Sequence, residues 1–97
     1  MVISKEQNGQ ELIVMIVGRL DTNTAPELDR FLEENTEGIE RMILDFTKLD
    51  YISSAGLRVL LSANKKFGKE NLIIRNTNEI VSEVFEVTGF CDILNIK

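Results

Sequence analysis

Two adjacent serines, Ser53 and Ser54, have the best placement in the chain for a chemical modification. They follow an apolar run that predicts a short buried strand, and they precede apolar residues at helical spacing. A serine at the start of a helix lies among unpaired N–H groups and a partial positive charge, which favour an anion such as phosphate. Two roles stay open for these hydroxyls, capping of the helix and acceptance of a phosphoryl group, and the spacing alone favours capping.

Asp21 is the second candidate, at the end of an apolar run where it is predicted to start a turn. Loops that follow parallel strands share one rim of a sheet, and here these loops are residues 18–24, 48–54 and 76–78. Asp21 and Ser54 are therefore predicted to be neighbours. From that position the carboxylate could orient a serine hydroxyl or repel a phosphate.

The composition argues against several classes of function. There is no histidine, which removes the commonest general base and most transition-metal sites, so we expect no enzyme and no cofactor. Ser62-x-x-Lys65 matches a pattern of some acyl-enzymes, but it lies in a predicted helix without the companion motifs. The net charge of −5 argues against nucleic acid and anionic membranes as partners. The single cysteine, Cys91, is predicted to be a small buried packing residue.

The pattern of elements predicts one α/β domain over residues 1–97, with a mixed β-sheet of four to five strands (an N-terminal hairpin plus βαβ units) and about three main helices. Strands 2–7 and 10–17 flank Asn8-Gly9, which predicts a type I′ hairpin turn. The chain is predicted to leave the sheet at residues 18–21. Thr24 is predicted to cap the first helix, with Glu27 in a capping box. Further strands are predicted at 39–45 and 71–75, helices at 54–67 and from about 80 to 89, and a terminal docking segment or strand after that. Gly68 is predicted to end the helix at 54–67, and residues 76–78 are predicted to form a turn and a cap before the last helix. With no signal segment and no run of 18 apolar residues, a soluble cytosolic protein is expected.

A combination of motifs across this pattern is more specific than any one of them. Gly18-x-Leu20-Asp21 ends the second strand, and Val84-Phe85-x-x-Thr88-Gly89-Phe90 closes the last helix. Between them lies the sequence Asp45-Phe46-x-x-Leu49-x-Tyr51-Ile52-Ser53-Ser54-Ala55-Gly56-Leu57. The chain thus resembles, over nearly its whole length, the STAS domain family of sulphate transporters and anti-sigma factor antagonists, in its stand-alone bacterial antagonist type.

The resemblance implies a partner switch. Such a protein binds an anti-sigma factor that is also a serine kinase and so releases a sigma factor; phosphorylation by that kinase separates the two, and a serine phosphatase restores the binding form. Carried over, the acceptor is Ser54, with Ser53 as the alternative, and ATP and magnesium belong to the kinase. The expected partner-binding residues are Arg19, Asp21, Thr22, Asn23, Thr24, Ser53, Ser54 and Arg58. The chain is expected to be a monomer.

One departure from the family pattern keeps a second function open. Many phosphorylated members carry aspartate before the acceptor serine, and this chain has Ser53. Some members of the family are not phosphorylated. The alternative is therefore a non-phosphorylated STAS scaffold or a subunit of a transporter complex.

Overall fold

A computed structural model describes all of the chain, residues 1–97. Its six strands are β1 (Val2–Asn8), β2 (Glu11–Leu20), β3 (Arg41–Asp45), β4 (Leu49–Ile52), β5 (Leu72–Arg75) and β6 (Asn95–Ile96). Its helices are α1 (Ala25–Asn35), α2 (Ser54–Phe67) and α3 (Glu79–Thr88), followed by a 3₁₀ turn at Phe90–Asp92. The predicted mixed α/β sheet and the three helices are confirmed.

The sheet is parallel except at one edge. Its strand order is β1-β2-β3-β5-β6, and only the β1–β2 pair is antiparallel. The last residues of β2 pair in parallel with β4, beyond the end of β3. The carboxyl ends of β2, β3, β4 and β5 therefore lie on one rim, as the predicted βαβ order requires.

The hairpin forms with a different turn from the predicted one. Asn8 is still part of β1 and pairs with Glu11, so the loop residues are Gly9 and Gln10. Only Gly9 has a positive φ, 64°, whereas a type I′ turn needs positive φ at both central positions. A glycine at the first central position is typical of a type II′ turn, and the type I′ assignment was wrong.

β4 is the strand that the sequence did not predict, because residues 48–54 were interpreted as a loop. β2 does not leave the sheet at Gly18; a β-bulge between Gly18 and Arg19 changes its register, and the strand continues to Leu20 alongside β4. A bulge bends a strand and redirects its side chains, and bulges are common next to functional sites. Here the bulge lies immediately before the Asp21 loop.

The core lies on one face of the sheet. Leu12, Val14 and Ile16 alternate along β2 and are buried with residues from all three helices, whereas Ile13 and Met15 between them are half-buried. β2 therefore serves the core with one face only, although both of its faces are apolar. None of the three helices has the length and apolarity that crossing a lipid bilayer requires.

Several local predictions at the helix ends can be compared with the structure. α2 spans the predicted residues, and Gly68 ends it with a positive φ of 87°. Asn78 caps α3 by accepting a hydrogen bond from the Val81 amide, as predicted for the 76–78 turn. Cys91, predicted to be buried, is exposed because it lies in the 3₁₀ turn after α3, and that prediction was wrong.

Candidate functional site

Ser54 is the first residue of α2, and its side chain is exposed. Ser53 occupies the N-cap position in an extended conformation, but its side chain makes no capping hydrogen bond. The Ser53 Oγ is instead buried and lacks a hydrogen-bond partner. The capping role that the spacing favoured is therefore wrong for Ser53, and α2 begins without a side-chain cap on its first-turn N–H groups.

Pairing between β2 and β4 sets the two loops side by side. Leu20 and Ile52 are register partners at the ends of these strands, and the Ser53 amide donates a 2.9 Å hydrogen bond to the Leu20 carbonyl. Asp21 and Ser54 are the residues that follow this hydrogen-bonded pair. The two loops thus leave the sheet from neighbouring backbone positions on the rim that the sequence predicted.

Gly56 allows α2 to approach this end of the sheet closely. A Cβ atom at position 56 would lie 2.7 Å from Leu20 Cγ and 2.8 Å from Ile52 Cγ1. Real Cβ atoms essentially never show contacts that short. The missing side chain therefore determines how near the first turn of α2, and with it Ser54, lies to the ends of β2 and β4.

Asp21, and not Thr24 as predicted, caps the turn before α1. Its Oδ1 accepts hydrogen bonds from the backbone amides of Asn23 (3.0 Å) and Thr24 (3.2 Å), and its carbonyl accepts one from the Ala25 amide at 2.8 Å. These bonds cap the turn that leads into α1. Thr24 makes no side-chain cap hydrogen bond, so neither its predicted cap nor the capping box with Glu27 is formed.

The Thr24 hydroxyl stabilises the loop through two hydrogen bonds to its backbone. It donates a 2.7 Å hydrogen bond to the Arg19 carbonyl and accepts one of 2.8 Å from the Asp21 amide. The backbone on both sides of Leu20 is therefore tied to the start of α1. A loop held in this way presents its outward side chains, Thr22 and Asn23, from a fixed base.

Asp21 is held in its charged form. Desolvation acts to raise the pKa of this carboxyl, but the hydrogen bonds from Thr24 and Asn23 and the nearby Arg19 guanidinium outweigh it, so the pKa lies below its usual value. The Oδ2 atom lies 3.8 Å from Arg19 Nε. At neutral pH this part of the rim therefore carries a fixed negative charge, partly balanced by Arg19.

Arg19 and Arg58 lie on different sides of the sheet end. The Arg19 guanidinium stacks over the Tyr51 ring at 4.6 Å from its centroid, and the two residues are register partners. Alternation places this pair on the face opposite to Leu20 and Ile52, which pack against α2. Arg58, one turn after Ser54, is exposed and lines a depression of about 240 Å³ together with Thr22.

The structure thus divides the predicted partner-binding residues into two groups. We call Ser54, Arg58 and loop residues 21–24 the Ser54 corner. Arg19 lies at its edge on the other face of the sheet, and Ser53 is left out of the corner because its Oγ is buried. Tyr51, which supports Arg19, was not predicted as a site residue. The alternation of side chains expected for a strand over residues 49–52 could have indicated its position. Residues 76–78 were predicted only as a turn and cap, but Asn78 also donates a 2.9 Å hydrogen bond to the Leu49 carbonyl and so fixes β4.

Known proteins resemble this chain over nearly its whole length. The STAS domain family matches residues 2–97. An anti-sigma-B factor antagonist from Listeria monocytogenes is 32% identical over 97 residues, covering 96% of this chain and 84% of the relative. The structure of an anti-sigma factor antagonist from Mycobacterium paratuberculosis has a TM-score of 0.87 at 20% identity, over 98% of this chain and 83% of that one. The phosphorylated form of the Bacillus cell fate determinant SpoIIAA has a TM-score of 0.73 at 15% identity, over 99% of this chain and 91% of that one.

Proposed function

Because this chain belongs to the STAS domain family, we propose that it is an anti-sigma factor antagonist switched by phosphorylation of Ser54. In its unmodified form it binds an anti-sigma factor with serine kinase activity and thereby releases a sigma factor. The kinase transfers the γ-phosphoryl group of ATP to the Ser54 hydroxyl, which loses its proton, and ADP leaves. A serine phosphatase hydrolyses the ester and restores the binding form.

The observation that carries this proposal is the exposure of Ser54 at a helix end that no side chain caps. A kinase must reach the hydroxyl, and Ser54 is accessible whereas the Ser53 Oγ is buried. After transfer, the phosphate lies beside first-turn N–H groups and the positive end of the helix dipole. The free protein therefore tolerates the modification without rearrangement of α2.

The same phosphate opposes binding to the partner. It adds about −1.5 to −2 charges at neutral pH, next to a loop where Asp21 is already ionised. An interface that fits a neutral hydroxyl must then desolvate a dianion and find space for it. A loss of about 3 kcal/mol of binding free energy weakens the complex more than a hundredfold, which is sufficient for a switch.

The test is phosphorylation by the cognate anti-sigma factor kinase in the presence of ATP and magnesium, followed by intact mass spectrometry. We expect one added phosphate on the wild type and on Ser53→Ala, and none on Ser54→Ala. Ser53→Ala is the matched control because it removes the neighbouring hydroxyl, which is buried, and keeps the exposed one. An unmodified wild-type mass, with a kinase that hydrolyses ATP in the same reaction, would contradict the proposal.

A binding measurement separates charge from size at the same position. Ser54→Asp and Ser54→Asn introduce side chains of similar volume, and only the first adds a charge. If the switch is electrostatic, we expect the Asp variant to bind the anti-sigma factor at least tenfold more weakly than the Asn variant does. Equal affinities for the two variants would mean that bulk, not charge, separates the complex.

The second candidate function is a non-phosphorylated subunit of a larger assembly. The residue before Ser54 is Ser53, where many phosphorylated members carry aspartate. In this case, purification of the tagged chain would recover a transporter component or scaffold without any kinase, and the kinase reaction would leave Ser54 unmodified.

A further inference from the structure

A groove runs between α1 and α2, starting at the Ser54 corner. Its first part is the depression of about 240 Å³ that Thr22 and Arg58 line. A second depression of about 220 Å³ lies further along the helices, and the two share Asp29 and Val59. Because they share these lining residues, the two depressions form one continuous surface feature, the α1–α2 groove.

The floor of the groove is apolar and shallow. Ala55, Val59 and Ala63 follow one another at intervals of four residues along α2, and Val59 and Ala63 are nearly covered. Small side chains in such a row leave a channel in which the ridge of another helix can pack. The row spans about 12 Å at 1.5 Å per residue, which matches two to three turns of a helix.

The two walls of the groove carry opposite charges. Asp29 and Glu33 line it from α1, whereas Arg58 and Lys66 line it from α2, which contains no acidic residue. Asp29, Glu33 and Arg58 form no ion pair within the chain. These three charges are therefore available to a partner, and Lys66 keeps two donors after its 2.7 Å hydrogen bond to the Thr36 hydroxyl.

We propose that the α1–α2 groove binds an amphipathic helix of the anti-sigma factor partner. The apolar ridge of that helix lies on the alanine–valine floor, its basic side chains face Asp29 and Glu33, and its acidic side chains face Arg58 and Lys66. The inference rests on the proposed function and deepens it, because it extends the binding surface about two helical turns beyond Ser54. Since the walls differ in sign, the groove accepts such a helix in one orientation, which gives specificity for the partner.

Neighbouring residues of α1 offer a matched test of the acidic wall. Glu33 lines the groove, whereas Glu34 lies on another side of the helix with Glu27 and Arg30. We expect Glu33→Lys to weaken binding of the purified cognate anti-sigma factor about tenfold, and Glu34→Lys to change it less than about threefold. The difference should shrink as the salt concentration rises, because exposed charges are screened.

A second pair of variants tests the groove by filling it. Ser62 lines the groove and is exposed, whereas Lys65 is exposed on the same helix without lining it. Ser62→Trp is expected to weaken binding at least tenfold, and Lys65→Trp to leave the affinity within about threefold of the wild type. Circular dichroism of each variant checks that α2 is intact.

The outcomes separate this inference from the proposal on which it rests. If Glu33→Lys and Ser62→Trp bind like the wild type while Ser54→Asp binds more weakly, the groove inference is wrong and the switch stands. If the wild type does not bind the cognate anti-sigma factor at all, both fall together. If the groove variants and their controls lose affinity equally, the effect is not local to the groove and the inference is also overturned.

Discussion

Replacing Gly56 by alanine tests whether close packing of α2 positions the Ser54 corner. The added Cβ would lie 2.7 Å from Leu20 Cγ, whereas ordinary van der Waals contacts begin near 3.4 Å. The first turn of α2 or the Leu20 side chain must therefore move by about 0.7 Å. Gly56 has no positive φ, so an alanine there meets a steric obstacle and no backbone strain.

Two opposing terms set the size of the effect. Overpacking of a filled core costs about 1–3 kcal/mol, and a glycine-to-alanine change in a helix gains at most about 1 kcal/mol. We expect Gly56→Ala to lower the free energy of unfolding by about 1–2 kcal/mol. For a chain of this size that corresponds to a melting temperature lower by about 4–16 °C.

Urea unfolding followed by circular dichroism measures this change, with binding of the anti-sigma factor as a second readout. For the unfolding measurement the matched control is Ser62→Gly compared with Ser62→Ala, because Ser62 is exposed in the same helix and its effect on the free energy of unfolding reports helix propensity. This control is not used for binding, because Ser62 lines the α1–α2 groove. Alanine should be the more stable residue at position 62 and the less stable one at position 56. A Gly56→Ala protein as stable as the wild type would refute the argument that this glycine sets the position of α2.

Three further predictions concern the rest of the rim and the carboxyl-terminal turn. Asn78→Ala removes both the cap on the Val81 amide and the hydrogen bond to the Leu49 carbonyl, and we expect a loss of about 1–3 kcal/mol in urea unfolding. Desolvation acts to raise the pKa of Asp45, but hydrogen bonds to its carboxylate and a nearby guanidinium outweigh it and lower the pKa. The charged Asp45 carboxylate therefore contributes to stability above the unfolded-state pKa near 4, and this contribution is lost as the pH falls through the lower folded-state pKa. Asp45→Asn should therefore flatten the acid limb of the stability profile measured by thermal melts. The exposed Cys91 thiol should react with Ellman's reagent in the folded protein about as fast as in urea, and strong protection in the folded state would contradict its placement.

Periodic patterns of apolar residues predicted the helices and most strands because each pattern depends only on residues within the element itself. The apolar spacing of α2 and the glycine after it defined that helix from Ser54 to Phe67, as the structure has it. β4 is only four residues long, and its pairing with β2 depends on a bulge at Gly18. Neither the bulge nor the partner strand is encoded near residues 49–52, so local reasoning assigned a loop there.

The predicted cap at Thr24 was wrong because Thr24 and Asp21 compete to cap the chain before α1. Thr24 and Asp21 both have side chains that accept hydrogen bonds from backbone amides, and they are three residues apart. The bulged end of β2 fixes the backbone at Arg19, and the Thr24 hydroxyl is used to bind that carbonyl. Asp21 is then the acceptor that remains for the turn. Tertiary structure, and not the spacing of residues in the sequence, therefore decides which side chain caps it.

The hydrogen bonds of the rim support the choice of Ser54 as the site of the proposed switch. Asp21 uses Oδ1 for backbone amides and directs Oδ2 toward Arg19, and Thr24 both donates and accepts a hydrogen bond. The Ser53 hydroxyl is buried, so of the two serines at the start of α2 only Ser54 is reachable. Because the surrounding loop is already held by its own hydrogen bonds, we expect a charge added at Ser54 to change what binds to the surface and to leave the fold beneath it in place.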